Sequence, residues 1–120
     1  MCNILGSSGL KREKHAVAEK GIELPLKVEY FSVDALIFTT LNSRKVALKN
    51  LNTEKVVVEV DFSDFDSLLL WTKPNGKYIC IEPWSAVLDF EDSDMDITKK
   101  DGVSELAPRS EYVRRHTLTF

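Results

Sequence analysis

One glutamate of the sequence, Glu82, has neighbours that suit acid–base chemistry. It belongs to the segment YICIEPW over residues 78–84. Alternate side chains of an extended chain share a face, so Glu82 would lie beside Cys80 and Trp84. A carboxylate among aromatic and apolar groups loses part of its hydration, which favours its use as a general base. The alternative interpretation is a solvated glutamate at a strand end, directly before Pro83.

Three further residues are candidates for binding a ligand. Trp71 and Trp84 offer flat aromatic faces that suit the C–H faces of a sugar ring, although core packing is the usual role of a tryptophan. Asp34 directly precedes the apolar run 35–38. There it is placed to accept hydrogen bonds from substrate hydroxyl groups. A turn-capping role for Asp34 is an equally good interpretation.

The acidic run over residues 89–96 does not fit a calcium loop of the EF-hand type. Counted from Asp92, the glycine position holds Ile97 and the closing bidentate position holds Val103. We interpret the run as a solvated loop. His15 and His116 lie far apart in the sequence, and no glycine-rich phosphate loop or nucleophile elbow occurs. We therefore expect no metal site and no cofactor.

The elements that would position these residues are strands. Short apolar runs rich in β-branched and aromatic residues alternate with turn residues. The runs cover residues 35–38, 46–48, 56–60, 68–71, 78–81 and 112–120. The pair Asn75-Gly76 tolerates positive φ and predicts a hairpin turn. The fold class is therefore all-β, an antiparallel β-sandwich whose core receives Ile79 and Ile81.

The first part of the chain shows no strand pattern. Residues 1–9 are rich in glycine and serine, which predicts a disordered lead-in. Residues 11–20 are the only stretch with helix-friendly composition, and Gly21 would end a helix there. Their periodicity is weak, so a helix is only weakly indicated.

Composition limits the class of protein. The chain has 120 residues, of which 43% are hydrophobic and 29% charged, with a net charge of −3. These values indicate one globular domain and argue against nucleic-acid binding. Two cysteines are too few for a disulfide framework. The first ten residues lack the basic and apolar regions typical of a signal peptide, and no apolar run approaches the roughly 20 residues of a membrane span. We therefore expect a cytoplasmic protein without membrane contact.

Several of these segments, taken in order, resemble the carboxy-terminal half of the galactose mutarotase-like family of aldose 1-epimerases. The resemblance covers residues 10–120. It rests on LPL at 24–26, DALIF at 34–38, SRKV at 43–46, WTKP at 71–74, CIEPW at 80–84 and DGV at 101–103. It implies that residues 10–120 are the carboxy-terminal portion of a β-supersandwich that interconverts the α and β anomers of a free aldose sugar.

The resemblance also implies roles for single residues. Glu82 would be the general base, Asp34 would bind sugar hydroxyl groups, and Trp71 and Trp84 would line the cleft. The family also uses an acid histidine on the ring oxygen, and neither histidine of this chain matches it. We therefore expect an incomplete isomerase, without a cofactor, that depends on a complementary amino-terminal half or on self-association through sheet edges.

Two other hypotheses stay open at this point. One is a carbohydrate-binding β-sandwich without catalysis. The other is a protein that associates through its sheet edges and does not bind sugar.

Overall fold

In the part of the chain that the structure describes, the regular elements are eight strands and two short 3₁₀ turns, the latter at Val28–Phe31 and Ile97–Lys99. A computed structural model describes residues 2–5, 8–17 and 23–120. The strands are β1 (Cys2–Leu5), β2 (Leu10–His15), β3 (Leu36–Phe38), β4 (Lys45–Lys49), β5 (Val56–Asp61), β6 (Ser67–Trp71), β7 (Cys80–Trp84) and β8 (Thr117–Thr119). The described residues contain no α-helix, which confirms the all-β prediction. They also contain no helix long and apolar enough to cross a membrane.

The larger sheet has five strands in the order β2-β1-β3-β6-β7, and every pair is antiparallel. Its register places Ile37 of β3 opposite Leu69 of β6, and Leu69 opposite Glu82 of β7. Directly opposite residues project from the same side of a sheet. Ile37, Leu69 and Glu82 therefore lie on one side, which we call the Glu82 face.

The smaller sheet has three antiparallel strands in the order β4-β5-β8. Val46 and Val60 are opposite one another on its inner side, and Val60 is buried. Its outer side is polar, since Lys45 pairs with Glu59 at 3.0 Å. This alternation of apolar and charged residues gives the small sheet one side for the core and one for water.

The main core lies between the two sheets, as expected for a sandwich. Its buried members are Cys2, Phe31, Leu36, Phe38, Phe62 and Leu68. Val46 of the small sheet packs against them from one side, and Ile79 and Ile81 pack from the other. Ile79 and Ile81 thus take the core positions predicted from the alternation in residues 78–84.

A second, smaller core covers part of the Glu82 face. It joins Leu10, Ile37, Leu69 and Val87. The chain that follows β7 returns over this face and is fixed by two backbone hydrogen bonds to Leu10. Leu10 N donates to Asp89 O at 2.7 Å, and Glu91 N donates to Leu10 O at 3.0 Å. Both sides of the large sheet are therefore covered at its centre.

The start of the chain differs from the prediction. Residues 2–5 of the predicted lead-in form β1, which pairs with both β2 and β3. Cys2 and Asn3 are buried in it. Residues 11–15 of the weakly indicated helix belong to strand β2, and residues 18–20 lie outside the described residues. Pairing to neighbouring strands outweighs local composition here, because it satisfies the backbone polar groups that a disordered segment would leave to water.

Two boundaries also differ. The predicted closing strand over 112–120 is regular only at Thr117–Thr119. The run predicted over residues 78–81 is regular at Cys80–Trp84. The predicted turn between β6 and β7 is confirmed at residues 73–76, where Gly76 N donates to Lys73 O at 2.9 Å. Asn75 adopts the expected positive φ of 62°.

Candidate functional site

Glu82 occupies the middle of β7, the edge strand of the large sheet. Its side chain is half-buried and lies opposite Leu69. Packing between the sheets requires Ile81 to face the main core, so the strand's alternation turns Glu82 to the other side. The carboxylate is thus held at the border between an apolar sheet surface and solvent.

A hydrogen bond orients the carboxylate of Glu82. The indole Nε1 of Trp84 donates to Oε2 of Glu82 at 3.2 Å. Trp84 itself packs against the second core, so its ring is held by apolar contacts and its N–H reaches the carboxylate. This bond leaves Oε1 of Glu82 free of hydrogen bonds to the described residues.

The second tryptophan lies on the same face. Trp71 is opposite Cys80, and Ser67 is opposite Trp84, so the two indoles project on either side of Glu82 along the strands. Trp71 is half-buried and contacts Tyr78, with ring centroids 6.2 Å apart. The structure therefore brings three of the four site residues named from the sequence to one sheet face.

Asp34 lies outside the sheet, two residues before β3. Its Oδ1 accepts a hydrogen bond of 2.7 Å from the backbone N of Ala35, at the entrance to β3. This is the turn-capping contact that the sequence left open. Counting three residues along the strand and two strand spacings, the backbones of Asp34 and Glu82 are about 14 Å apart. A role for Asp34 in binding substrate stays a prediction.

Neither histidine lies beside Glu82. His15 is opposite Cys2, a member of the main core, so it projects from the side of the large sheet opposite to Glu82. Its Nε2 is buried and makes no hydrogen bond to the described residues. His116 packs edge-on against Phe65, with ring centroids 6.1 Å apart. Neither ring can donate a proton to a ligand held at Glu82.

A cleft of about 480 Å³ opens on the Glu82 face. Glu82 does not line it; the cleft begins at Ser67, which lies opposite Trp84. Its floor contains Asn3, Thr39 and Ser67, and its far wall contains Val87 and Phe90. Asn3 is held in place by donating from Nδ2 to Lys11 O at 3.0 Å and by accepting from Thr39 Oγ1 at 3.0 Å. Ser67 is 5% exposed and its hydroxyl has no hydrogen-bond partner among the described residues. The hydroxyl of Ser67, which lines the cleft, is therefore available to a ligand there.

Two cations of β2 stand at the rim of this cleft. Arg12 donates to Asp92 at 2.7 Å and stacks over the ring of Phe90 at 4.2 Å. Lys14 Nζ lies 3.1 Å from Thr40 Oγ1 and forms no ion pair with the described carboxylates. The charge of Arg12 is thus balanced within the protein, whereas that of Lys14 faces the cleft.

Sequence reasoning did not identify the cleft residues. Asn3 fell within the predicted lead-in and Lys14 within a stretch of helix-friendly composition. The run CNIL over residues 2–5 was the one available signal, because a short apolar run containing a β-branched residue is typical of a strand.

The acidic run over residues 89–96 is an exposed loop whose carboxylates pair with nearby cations. Lys99 Nζ lies 2.6 Å from Asp94 Oδ2 and 3.3 Å from Asp96 Oδ2. The hydrogen bond from Lys99 lowers the pKa of Asp94, and the one from Arg12 lowers the pKa of Asp92. In the described residues no group of three or more histidine, cysteine or acidic side chains is arranged to hold a metal ion.

Comparison with known proteins gives two relatives. The chain is 31% identical over 98 residues to the plasmid-encoded and the chromosomal LacX proteins of Lactococcus lactis subsp. lactis, and the match covers 81% of this chain. It covers 32% of each LacX protein, so the chain spans about a third of the length of the curated relatives it matches. No family model matches the chain, and no solved structure matches it.

Proposed function

We propose that this chain is part of an aldose 1-epimerase-like isomerase, a cytoplasmic enzyme that interconverts the α and β anomers of a free aldose, with Glu82 as its general base. The observation that carries the proposal is the hydrogen bond of 3.2 Å from Trp84 Nε1 to Glu82 Oε2. It fixes a half-buried carboxylate on a sheet face that also carries Trp71. The sequence resemblance to aldose 1-epimerases supports the same assignment.

In this mechanism Glu82 takes the proton of the anomeric hydroxyl group. As that O–H bond breaks, the C1–O5 bond of the sugar ring opens, and O5 receives a proton from an acid. Rotation about C1–C2 and the reverse steps then give the other anomer. Oε1, which is free of hydrogen bonds to the described residues, would accept the proton. The indole faces of Trp71 and Trp84 would pack on the C–H faces of the sugar.

The acid must come from elsewhere, since His15 lies on the opposite side of the sheet and His116 packs on Phe65. We propose that a complementary amino-terminal half supplies it. The LacX relatives, of which the chain covers 32%, are long enough to contain such a half. Loss of one proton-transfer partner costs about 10²–10⁴-fold in rate, so the chain alone should be a poor catalyst.

One observation favours a second candidate, a carbohydrate-binding protein without catalysis. The cleft of about 480 Å³ combines hydroxyl and charged groups with the apolar side chains of Val87 and Phe90, and Glu82 does not line it. A sugar seated on Ser67 and Thr39 would bind without contacting the proposed base.

Sugar binding by the isolated chain separates these candidates. Binding of galactose and of glucose would be measured by ligand-observed NMR, and anomer exchange by polarimetry of freshly dissolved α-anomers. The variants are Glu82→Gln and, as a matched control, Glu105→Gln, which changes an exposed glutamate. We expect Glu82→Gln to weaken binding about tenfold, because a charge-assisted hydrogen bond is lost, and Glu105→Gln to leave binding unchanged.

The isomerase and the carbohydrate-binding protein predict different results for these variants. Binding that is insensitive to Glu82→Gln but lost in Ser67→Val would favour the binding protein. No binding of either sugar at 100 mM, on the order of the weakest useful affinity, would contradict both candidates. A mutarotation rate above the buffer rate that survives Glu82→Gln would remove Glu82 from its proposed role.

A further inference from the structure

The edge of the small sheet carries an apolar overhang. Leu118 of β8 lies opposite Val60, yet Leu118 is 50% exposed whereas Val60 is 2% exposed. Phe120 follows on the same side and is 94% exposed. The inner side of this sheet is therefore buried at Val60 of β5 and open at β8. Leu118 and Phe120 together are called the β8 overhang.

The four sheet edges differ in how they would meet a second copy of the chain. Paired antiparallel over its full length, β4 would place Lys45 opposite Lys49, and β2 would place Lys11 opposite Lys14. Lysines on an edge strand discourage such pairing, since like charges directly opposite one another repel. β4 and β2 are therefore protected against self-pairing.

The two remaining edges are β7 and β8. Self-pairing of β7 would place Glu82 opposite Glu82 of the second copy, and Pro83 has no N–H to donate. Self-pairing of β8 opposes no charges: Leu118 meets its copy and Thr117 meets Thr119 of the second copy. Threonine pairs stabilise neighbouring strands. Of the edges in the described residues, β8 alone is compatible with its own copy.

From this complementarity we infer that the chain forms a two-fold dimer through antiparallel pairing of β8 with β8 of a second copy. The two small sheets become one six-stranded sheet, and the overhangs of both copies cover one another. The inferred dimer does not rest on the proposed enzymatic function, because β8 and Glu82 belong to different sheets.

The contact is small. A phenylalanine side chain buries about 150–250 Å², so two copies of the overhang fall below the roughly 1,200 Å² of a standard interface. The dimer is therefore weak and reversible, with a dissociation constant between about 10 µM and 1 mM.

Sedimentation equilibrium tests the dimer over protein concentrations that span this range. The full chain should pass from 13.6 kDa to about twice that mass as concentration rises. Leu118→Lys should stay monomeric, because two lysines would meet on the two-fold axis. The control is Val57→Lys, which changes a 49% exposed valine on the outer side of the same sheet and should leave the dimer intact.

A mixture of two charged variants tests the pairing of β8 most directly. Leu118→Lys and Leu118→Glu should each be monomeric, and an equimolar mixture should regain the dimer because opposite charges then meet on the axis. Amide exchange of the wild-type chain adds a measure without substitution, since residues 117–119 should gain protection as concentration rises. A chain that stays monomeric throughout, or a dimer that survives Leu118→Lys, would overturn the inference.

Discussion

Thr39 Oγ1 donates a hydrogen bond of 3.0 Å to Asn3 Oδ1 and thereby links the segment directly after β3 to β1 at the floor of the cleft. The same asparagine donates to Lys11 O of β2, so one side chain connects β1 to β2 and to the segment directly after β3. Asn3 is 1% exposed, and its amide is satisfied by this geometry. A buried polar group with such partners fixes the register of the strands around it.

We expect Asn3→Ala to lower the free energy of unfolding by about 2–3 kcal/mol, because buried partners of the amide lose their hydrogen bonds. Urea unfolding followed by circular dichroism would measure the change. Asn42→Ala, at an exposed position, is the control and should change stability by less than about 0.5 kcal/mol. Equal effects of the two substitutions would show that β1 is not held through Asn3.

Trp84→Phe should weaken sugar binding while preserving the fold. The phenyl ring keeps most of the contact with the second core, but the donor to Glu82 Oε2 is lost. Because Glu82 is half-buried, we expect a loss of about 1 kcal/mol, or roughly fivefold in affinity. The matched substitution Trp71→Phe leaves this bond in place and should have the smaller effect. Ligand-observed NMR would measure both, and the reverse order would contradict an orienting role for Trp84.

Phe62→Ala should be among the most destabilising substitutions in the chain. Phe62 is fully buried in the main core, so its removal leaves a cavity and should cost about 3–5 kcal/mol of unfolding free energy. Phe120→Ala, at a 94% exposed position, should leave the stability of the monomer unchanged. Thermal unfolding at low protein concentration compares the two. A large loss in Phe120→Ala would mean that Phe120 packs within its own chain.

Stability should fall in acid because several aspartates have lowered pKa values in the folded state. Ser63 donates to Asp61, Arg12 pairs with Asp92, and Lys99 pairs with Asp94. A carboxylate with a lowered folded-state pKa stabilises the fold above its unfolded pKa, and this contribution disappears as pH falls through the folded-state value. The free energy of unfolding should therefore decrease from about pH 4 downward. Urea titrations across this range would measure it, and Asp92→Asn should show a shallower decrease.

The two cysteines should differ in reactivity. Cys2 and Cys80 are both free thiols, but Cys2 is fully buried and desolvation raises the pKa of its thiol. The thiolate is the reactive form, so a thiol reagent at pH 8 should label Cys80 first and Cys2 only when the chain unfolds. A Cys80→Ser variant isolates the Cys2 signal. Rapid labelling of Cys2 in that variant would show that β1 opens readily.

Part of the candidate site could be predicted from the sequence. In residues 78–84 the period of two was enough to separate Ile79 and Ile81, which pack on the main core, from Glu82 and Trp84. The reason is that side-chain direction in a strand depends only on alternation. Alternation does not specify which strands are neighbours, so it could not reveal that Ser67 lies opposite Trp84 or that the cleft opens there.

The sequence by itself determined the all-β class and the side of its strand on which Glu82 lies, since both follow from local patterns of apolar residues and turns. The tertiary structure alone decided that Cys2–Leu5 form an inner strand of the large sheet, between β2 and β3. It also decided that His15 projects away from Glu82, and that the core ends before it reaches Leu118. These features depend on pairing between segments far apart in the chain, where backbone hydrogen bonds and shared apolar contacts outweigh the preferences of a few residues.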